Sequence, residues 1–175
     1  MYWVNWVVMS NKFLLPQVAI SSTQILTQLS SGQLLAIDSR RRGGLIICKR
    51  HHAEFAGPGS AVGGVCDIDC GRVIAIGDVA LIYPESFQDR QKAFAIRQKW
   101  FGFTMKVMET SIPLKRAYAI LYLLEKYFGQ ESVSPLSDEV IGQLVGVLPK
   151  TVKMARQARK TQSQHPQQNP KLAPF

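Results

Sequence analysis

Positions 136–160 read LSDEVIGQLVGVLPKTVKMARQARK, and their punctuation leaves room only for two short helices around a tight turn. Ser137 is placed to cap the first helix, because its hydroxyl can accept a hydrogen bond from an orphan backbone N–H. Asp138 and Glu139 follow in the first turn, where the helix dipole favours negative charge. Val140, Ile141, Leu144 and Val145 recur at helical spacing and define one apolar face. Gly142, lacking a side chain, permits close approach of another helix. Gly146 falls where positive φ would stop the helix. Val147 and Leu148 are expected to plug the space between the two helices.

Pro149 suits the first position of the second helix, since its fixed φ is helical and its missing N–H costs nothing there. Val152 and Ala155 are expected to face inward. Lys150, Thr151, Lys153, Met154 and Gln157 are expected to face outward, with Arg156, Arg159 and Lys160 extending the positive charge. From Val140 to the last residue there are six of the chain's 21 Lys and Arg and none of its 12 Asp and Glu. Most of the formal +9 charge therefore sits in the last fifth of the chain. A basic helix beside a short capped one is the minimal device for placing a helix in the major groove of double-stranded DNA, the alternative being an ordinary helical hairpin with a solvated basic face. Lys150, Thr151, Lys153, Arg156 and Arg159 are the expected phosphate anchors, with Lys150, Met154 and Gln157 nearest the bases.

The run Ile141-Gly142-Gln143-Leu144-Val145-Gly146, followed after four residues by Thr151-Val152, resembles the helix-turn-helix of the cyclic-AMP receptor protein/FNR family of bacterial transcription regulators. Arg116 and positions 117–128 resemble the helix that opens that family's DNA-binding domain. The resemblance covers positions 111–159 and implies phosphate contact by Thr151 and an inward-packed Val152. The chain departs from the family where Leu148, Pro149 and Lys150 stand in place of a Ser or Thr cap and a polar pair. Met154 stands where the family reads bases with Arg. The tail TQSQHPQQNPKLAPF shows no strand pattern for the family's wing and is expected to be disordered.

Upstream, Ala93, Ile96, Trp100, Phe103 and Val107 alternate at spacings of three and four within a long helix over 88–110. In the resembled family a helix at this place pairs two subunits, so these five residues are the expected dimer contacts. Packing of the same stripe onto the rest of its own chain is the equal alternative. Phe94, Phe101 and Met105 lie off the stripe and make the helix apolar over a wide arc. A further helix is expected to start at Ser111-Ile112-Pro113, lined by Ala117, Ile120, Leu121, Leu124 and Phe128 and ended by Gly129. Positions 130–135 read as a polar loop.

The front of the chain is expected to be β-rich. Positions 13–20 read as an edge strand interrupted by Pro16, and Ser21 or Ser22 caps a short helix over 23–29. QLLAID and GLIIC are β-type runs around SRRRG, read as a solvated hairpin tip. Positions 53–64 read as a loop. Positions 72–76 and 78–83 are two more apolar runs around Gly77. GDVALIYPES, at 77–86, distantly resembles the phosphate-binding cassette of cyclic-nucleotide domains but is not followed in register by the Arg that cassette needs. The module is expected to be a degenerate sensor-like fold without nucleotide binding.

Cys48 and His51 have CxxH spacing, with His52 adjacent, and Cys66 and Cys70 have CxxxC spacing, which zinc or an iron–sulfur cluster can use. Extended backbone would hold the Cys66 and Cys70 sulfurs roughly 13 Å apart, too far for one ion, whereas a turn at Asp67, Asp69 and Gly71 would bring them together. The cysteines are read as small core residues and the histidines as surface ones, so no metal and no cofactor is expected. Three cysteines give no disulfide framework and fit a reducing cytosol. MYWVNWVVM is too short to span a bilayer and has no signal-peptide flanks, and Met9 is an alternative start. No glycine-rich phosphate loop, H-E-x-x-H or nucleophile elbow occurs, so no enzyme is expected.

The expected fold is α+β: a β-rich module at 1–86, a connecting helix at 87–110, a helix-turn-helix at 111–160 and a tail at 161–175. The expected function is DNA-binding transcription regulation by a cytoplasmic homodimer. The alternatives are a protein-interaction module built on the helix at 88–108, or a metal- or redox-sensing regulator.

Overall fold

The structure, a computed structural model, describes residues 21–164, with side chains as far as Arg159. The expected edge strand at 13–20, the MYWVNWVVM segment, the Lys160 side chain and positions 165–175 lie outside the described residues; the first four residues of the expected disordered tail, 161–164, are helical. The architecture is α+β: two three-stranded antiparallel sheets followed by a helical half. Among the described residues no helix is long and apolar enough to cross a membrane.

Helix α1 (Ser22–Ser30) starts at a capping box, in which Ser21 Oγ accepts from Gln24 N and Gln24 Oε1 accepts from Ser21 N. Strands β1 (Leu34–Ile37), β2 (Gly43–Cys48), β3 (Ala53–Ala56), β4 (Ala61–Gly63), β5 (Arg72–Gly77) and β6 (Leu81–Ile82) follow. They pair in the orders β4-β1-β6 and β3-β2-β5. All six residues of β2 are buried. Leu45 and Ile47 point into a core shared with α1, whereas Ile46 and Cys48 point into the core of the helical half. Both faces are covered, so GLIIC is continuously apolar rather than alternating.

Three sequence expectations are corrected here. The SRRRG stretch is not a hairpin tip, because β1 and β2 belong to different sheets. Two of its three arginines are tied to neighbouring acids, Arg40 to Asp38 and Arg41 to Asp78, each at 2.7 Å. The expected loop at 53–64 contains β3 and β4. Small residues there are buried against other elements, which hydrophobic periodicity does not register. The polar loop at 130–135 contains a single helical turn, α4 (Gln130–Val133), anchored by buried Val133.

Helix α2 (Phe87–Met108) is capped by Ser86, whose Oγ accepts from Asp89 N at 3.0 Å. Most of the stripe expected to pair two subunits is turned inward. Ala93 and Val107 are buried. Trp100 packs edge-on against Phe55 and Tyr127, with centroids at 5.3 and 4.9 Å, while Phe103 meets Trp100 edge-on at 5.7 Å and stays 40% exposed. A Cβ at Gly57 would lie 2.1 Å from the Trp100 ring, so the indole sits directly on the β3 end. Ile96 lies against Gly59. Ala93, Ile96, Trp100 and Val107 thus pack within their own chain, and Phe103 is the stripe residue that stays exposed.

An ionic cluster fastens α2 to the sheets. The Arg97 guanidinium donates to Asp67 Oδ2 at 2.7 Å and Oδ1 at 2.8 Å, to Glu54 Oε2 at 2.8 Å and to the Ala61 carbonyl at 3.0 Å. Asp67 is fully buried and also accepts from Gly63 N at 2.8 Å. Lys49 Nζ adds a contact to Glu54 Oε1 at 3.1 Å. Burial pushes the Glu54 carboxyl upward, but hydrogen bonds from Arg97 and Lys49 outweigh it and hold the pKa at about 2.

Helix α3 (Pro113–Phe128) begins at proline and ends at Gly129, with Ala117, Ile120, Leu121 and Leu124 buried. Helices α5 (Asp138–Val145) and α6 (Pro149–Gln164) pack on it. One core runs from Ile46 and Phe55 of the sheets through Val107 to these helices. The helix pair therefore rests directly on the β3 side of the sheets.

Candidate nucleic-acid interface

The helix pair forms where its local signals put it. Ser137 Oγ accepts from Val140 N at 3.4 Å, and Gly146 ends α5 in the left-handed conformation at φ 63° and ψ 46°. Gly142 is needed for a different reason from the one its sequence context implied. A Cβ there would sit 2.5 Å from the Val147 carbonyl, so the close approach is by the turn itself and not by another helix. Val147 N also donates to the Gly142 carbonyl at 3.0 Å, locking the turn onto α5. Gly142→Ala should lower unfolding stability by about 2 kcal/mol through forced displacement of that turn, measured by urea denaturation. A neutral result would mean that the turn relaxes freely.

The faces of α6 separate cleanly. Val152 and Ala155 are fully buried against α3 and α5. Lys150, Lys153, Met154 and Gln157 are exposed, and Thr151 is half-buried. Leu148 does not plug the interhelix space; it is exposed immediately before α6, while Val147 takes the packing role.

Arg156 and Arg159, expected as phosphate anchors, are instead engaged by residues of the neighbouring helices. Arg156 Nε lies 2.9 Å from Asp138 Oδ1, and Nη2 donates to the Leu136 carbonyl at 2.7 Å, tying α6 to the start of α5. Arg159 pairs with Glu125 of α3. Both are half-buried and serve as braces of the helix pair. Arg156→Ala should cost about 2 kcal/mol of stability, as a charged hydrogen bond to backbone and an ion pair are lost together. The same variant, tested below its melting point, should leave the salt dependence of DNA binding unchanged.

Sequence reasoning gave Arg116 no role beyond the family resemblance. In the fold its Nε donates to the Thr110 carbonyl at 2.6 Å, and Nη1 reaches the Val145 carbonyl at 3.5 Å. A cation at the C-terminal end of α5 complements the helix dipole. An Arg opening α3 was the available signal, but its partner lies 29 residues away.

The cysteines and histidines do not converge. Cys48 and Cys70 are buried, Cys66 is exposed, and His51 and His52 stand exposed between β2 and β3. His52 Nε2 lies 3.2 Å from Glu54 Oε1. Among the described residues no three of His, Cys, Asp and Glu are grouped to hold a metal ion. A cleft of about 730 Å³ opens between these histidines, the C-terminal half of α2 and the α5–α6 turn. Phe101, Met105, Leu144 and Leu148 supply its apolar wall, and Glu139 and Gln143 stand on its α5 side.

No family model matches the chain, and no curated protein matches it.

Proposed function

We propose that the protein is a DNA-binding transcription regulator that places α6 in the major groove. The observation that carries this reading is the outward face of α6. Lys150 and Lys153 project from it beside Met154 and Gln157, with no carboxylate on that face and no ion pair to either lysine among the described residues. The inward arginines hold the helix rigidly while the outward lysines stay available for phosphate. The test is fluorescence anisotropy of labelled duplex DNA from low to moderate salt, with competitor. A steep log–log salt slope, with binding at one promoter that survives competitor, supports a sequence-specific regulator; no binding at low salt removes the reading.

Two copies acting on two half-sites about one helical turn apart complete the proposal. The support is the face of α2 left uncovered once its inner stripe is packed. Phe87, Phe94, Phe101 and Met108 are exposed at intervals of seven, with Met105 beside them. A seven-residue repeat is the pattern of a left-handed two-helix seam. Phe101→Glu should convert a dimer into a monomer in light scattering while preserving the far-ultraviolet spectrum; an unchanged mass would remove α2 as the seam. The same apolar face also favours a second reading, a module that binds another protein. Partner capture that ignores salt and is lost with Phe101→Glu, in a protein that does not bind DNA, would select it.

A further inference from the structure

The surface offered to DNA carries an unusual side-chain set. Met154 is 50% exposed on the outward face, between Lys150, Lys153 and Gln157. The core does not explain Met154, because Val152 and Ala155 already seal the inner face of the helix. No arginine stands on the outward face among the described residues, since Arg156 and Arg159 are directed to Asp138, Leu136 and Glu125.

In the major groove each base pair shows a distinct set of groups. Guanine is most often read by a bidentate Arg, and thymine by apolar contact with its 5-methyl group. Exposed Met154 lacks the chemistry for guanine and has the chemistry for thymine. The lysines beside it supply charge to the backbone without dictating a base. Resting on the DNA-binding reading above, we propose that Met154 reads a thymine methyl group, so that each half-site carries an A·T pair opposite the N-terminal part of α6. Met154 is then a specificity-determining residue, and the lysines are anchors.

The test compares one A·T-rich duplex with the same sequence carrying uracil in place of thymine, which removes only the methyl groups, and with a G·C-rich duplex. Anisotropy titrations use the full chain at fixed salt. Each methyl contact should be worth about fourfold in affinity, and two half-sites on the order of tenfold. The uracil duplex is therefore expected to bind that much more weakly, with the same salt slope. Met154→Ala, a change at an exposed site, is expected to abolish the thymine-over-uracil preference and leave the slope intact. Equal affinity for thymine and uracil duplexes, or tighter binding to the G·C-rich duplex, overturns the thymine inference and leaves DNA binding standing. Failure to bind any of the three at low salt overturns the DNA-binding reading itself.

Discussion

Replacing Lys150 and Lys153 together by alanine is expected to weaken DNA binding on the order of a hundredfold at moderate salt, without selecting among sequences. Both side chains are exposed, and among the described residues neither has an ionic partner, so the fold loses nothing with them. Each phosphate contact releases counterions and adds about 0.9 to the log–log salt slope. Two lysines from each half of a dimer amount to four contacts, and the slope should fall by about 3.6. The measurement is the slope itself, taken over a range of salt with wild type and variant on the same duplex. An unchanged slope would show that the outward face of α6 does not meet phosphate. The contrast with Arg156→Ala is the informative part. That arginine is equally basic, but its charge is engaged by Asp138 and the Leu136 carbonyl, so its loss should appear in stability and not in the slope.

Asp67→Ala is expected to give the largest loss of stability of any single change described here, roughly 3–5 kcal/mol. Asp67 is fully buried, and its removal leaves the Arg97 guanidinium with one carboxylate where it had two. The Gly63 N–H loses its acceptor as well. Changing Asp67 to Leu and Arg97 to Met together should cost clearly less than Asp67→Ala, because no uncompensated charge stays buried. If the double change costs as much as the single one, the cluster is not held by charge pairing.

The same cluster makes the fold acid-sensitive in a defined window. Glu54 has a folded pKa of about 2 against an ordinary 4.5, so its contribution is fully present above about pH 4.5 and is lost as pH falls towards 2. At 1.36 kcal/mol per unit, the contribution is about 3 kcal/mol. Urea denaturation at pH 7 and pH 3 should therefore show a steeper loss in wild type than in Glu54→Gln, which starts less stable but lacks this titration. Parallel losses in the two proteins would assign the acid sensitivity elsewhere.

The cluster also bears on how the two halves act together. Arg97 and Trp100 lie within one turn of each other on α2, the first fastened to β-module acids and the second seated on Phe55 and Tyr127. The helix is thus held at once by the sheets and by α3, and any displacement of α2 has to break both contacts.

What the chain's order of residues settled alone is local. The capping box at Ser21, the starts of α3 and α6 at Pro113 and Pro149, the stops at Gly129 and Gly146, and the inward Val152 and Ala155 all follow from interactions within about four residues. Such signals are complete in a short window, because caps, φ preferences and helical periodicity are properties of neighbours. The tertiary structure alone decided which way a usable side chain is spent. Arg156 and Arg159 look as basic as Lys150 and Lys153, yet their partners Asp138 and Glu125 come from other helices. The apolar arc of α2 offers two seams, and only the position of Phe55, Gly57 and Tyr127 turns Trp100 inward and leaves Phe87, Phe94, Phe101 and Met108 outside. β3 and β4 are strands because β2 and β1 lie beside them, not because of any pattern of their own. Pairing across tens of residues is an energy between segments, and a window on one segment does not contain it.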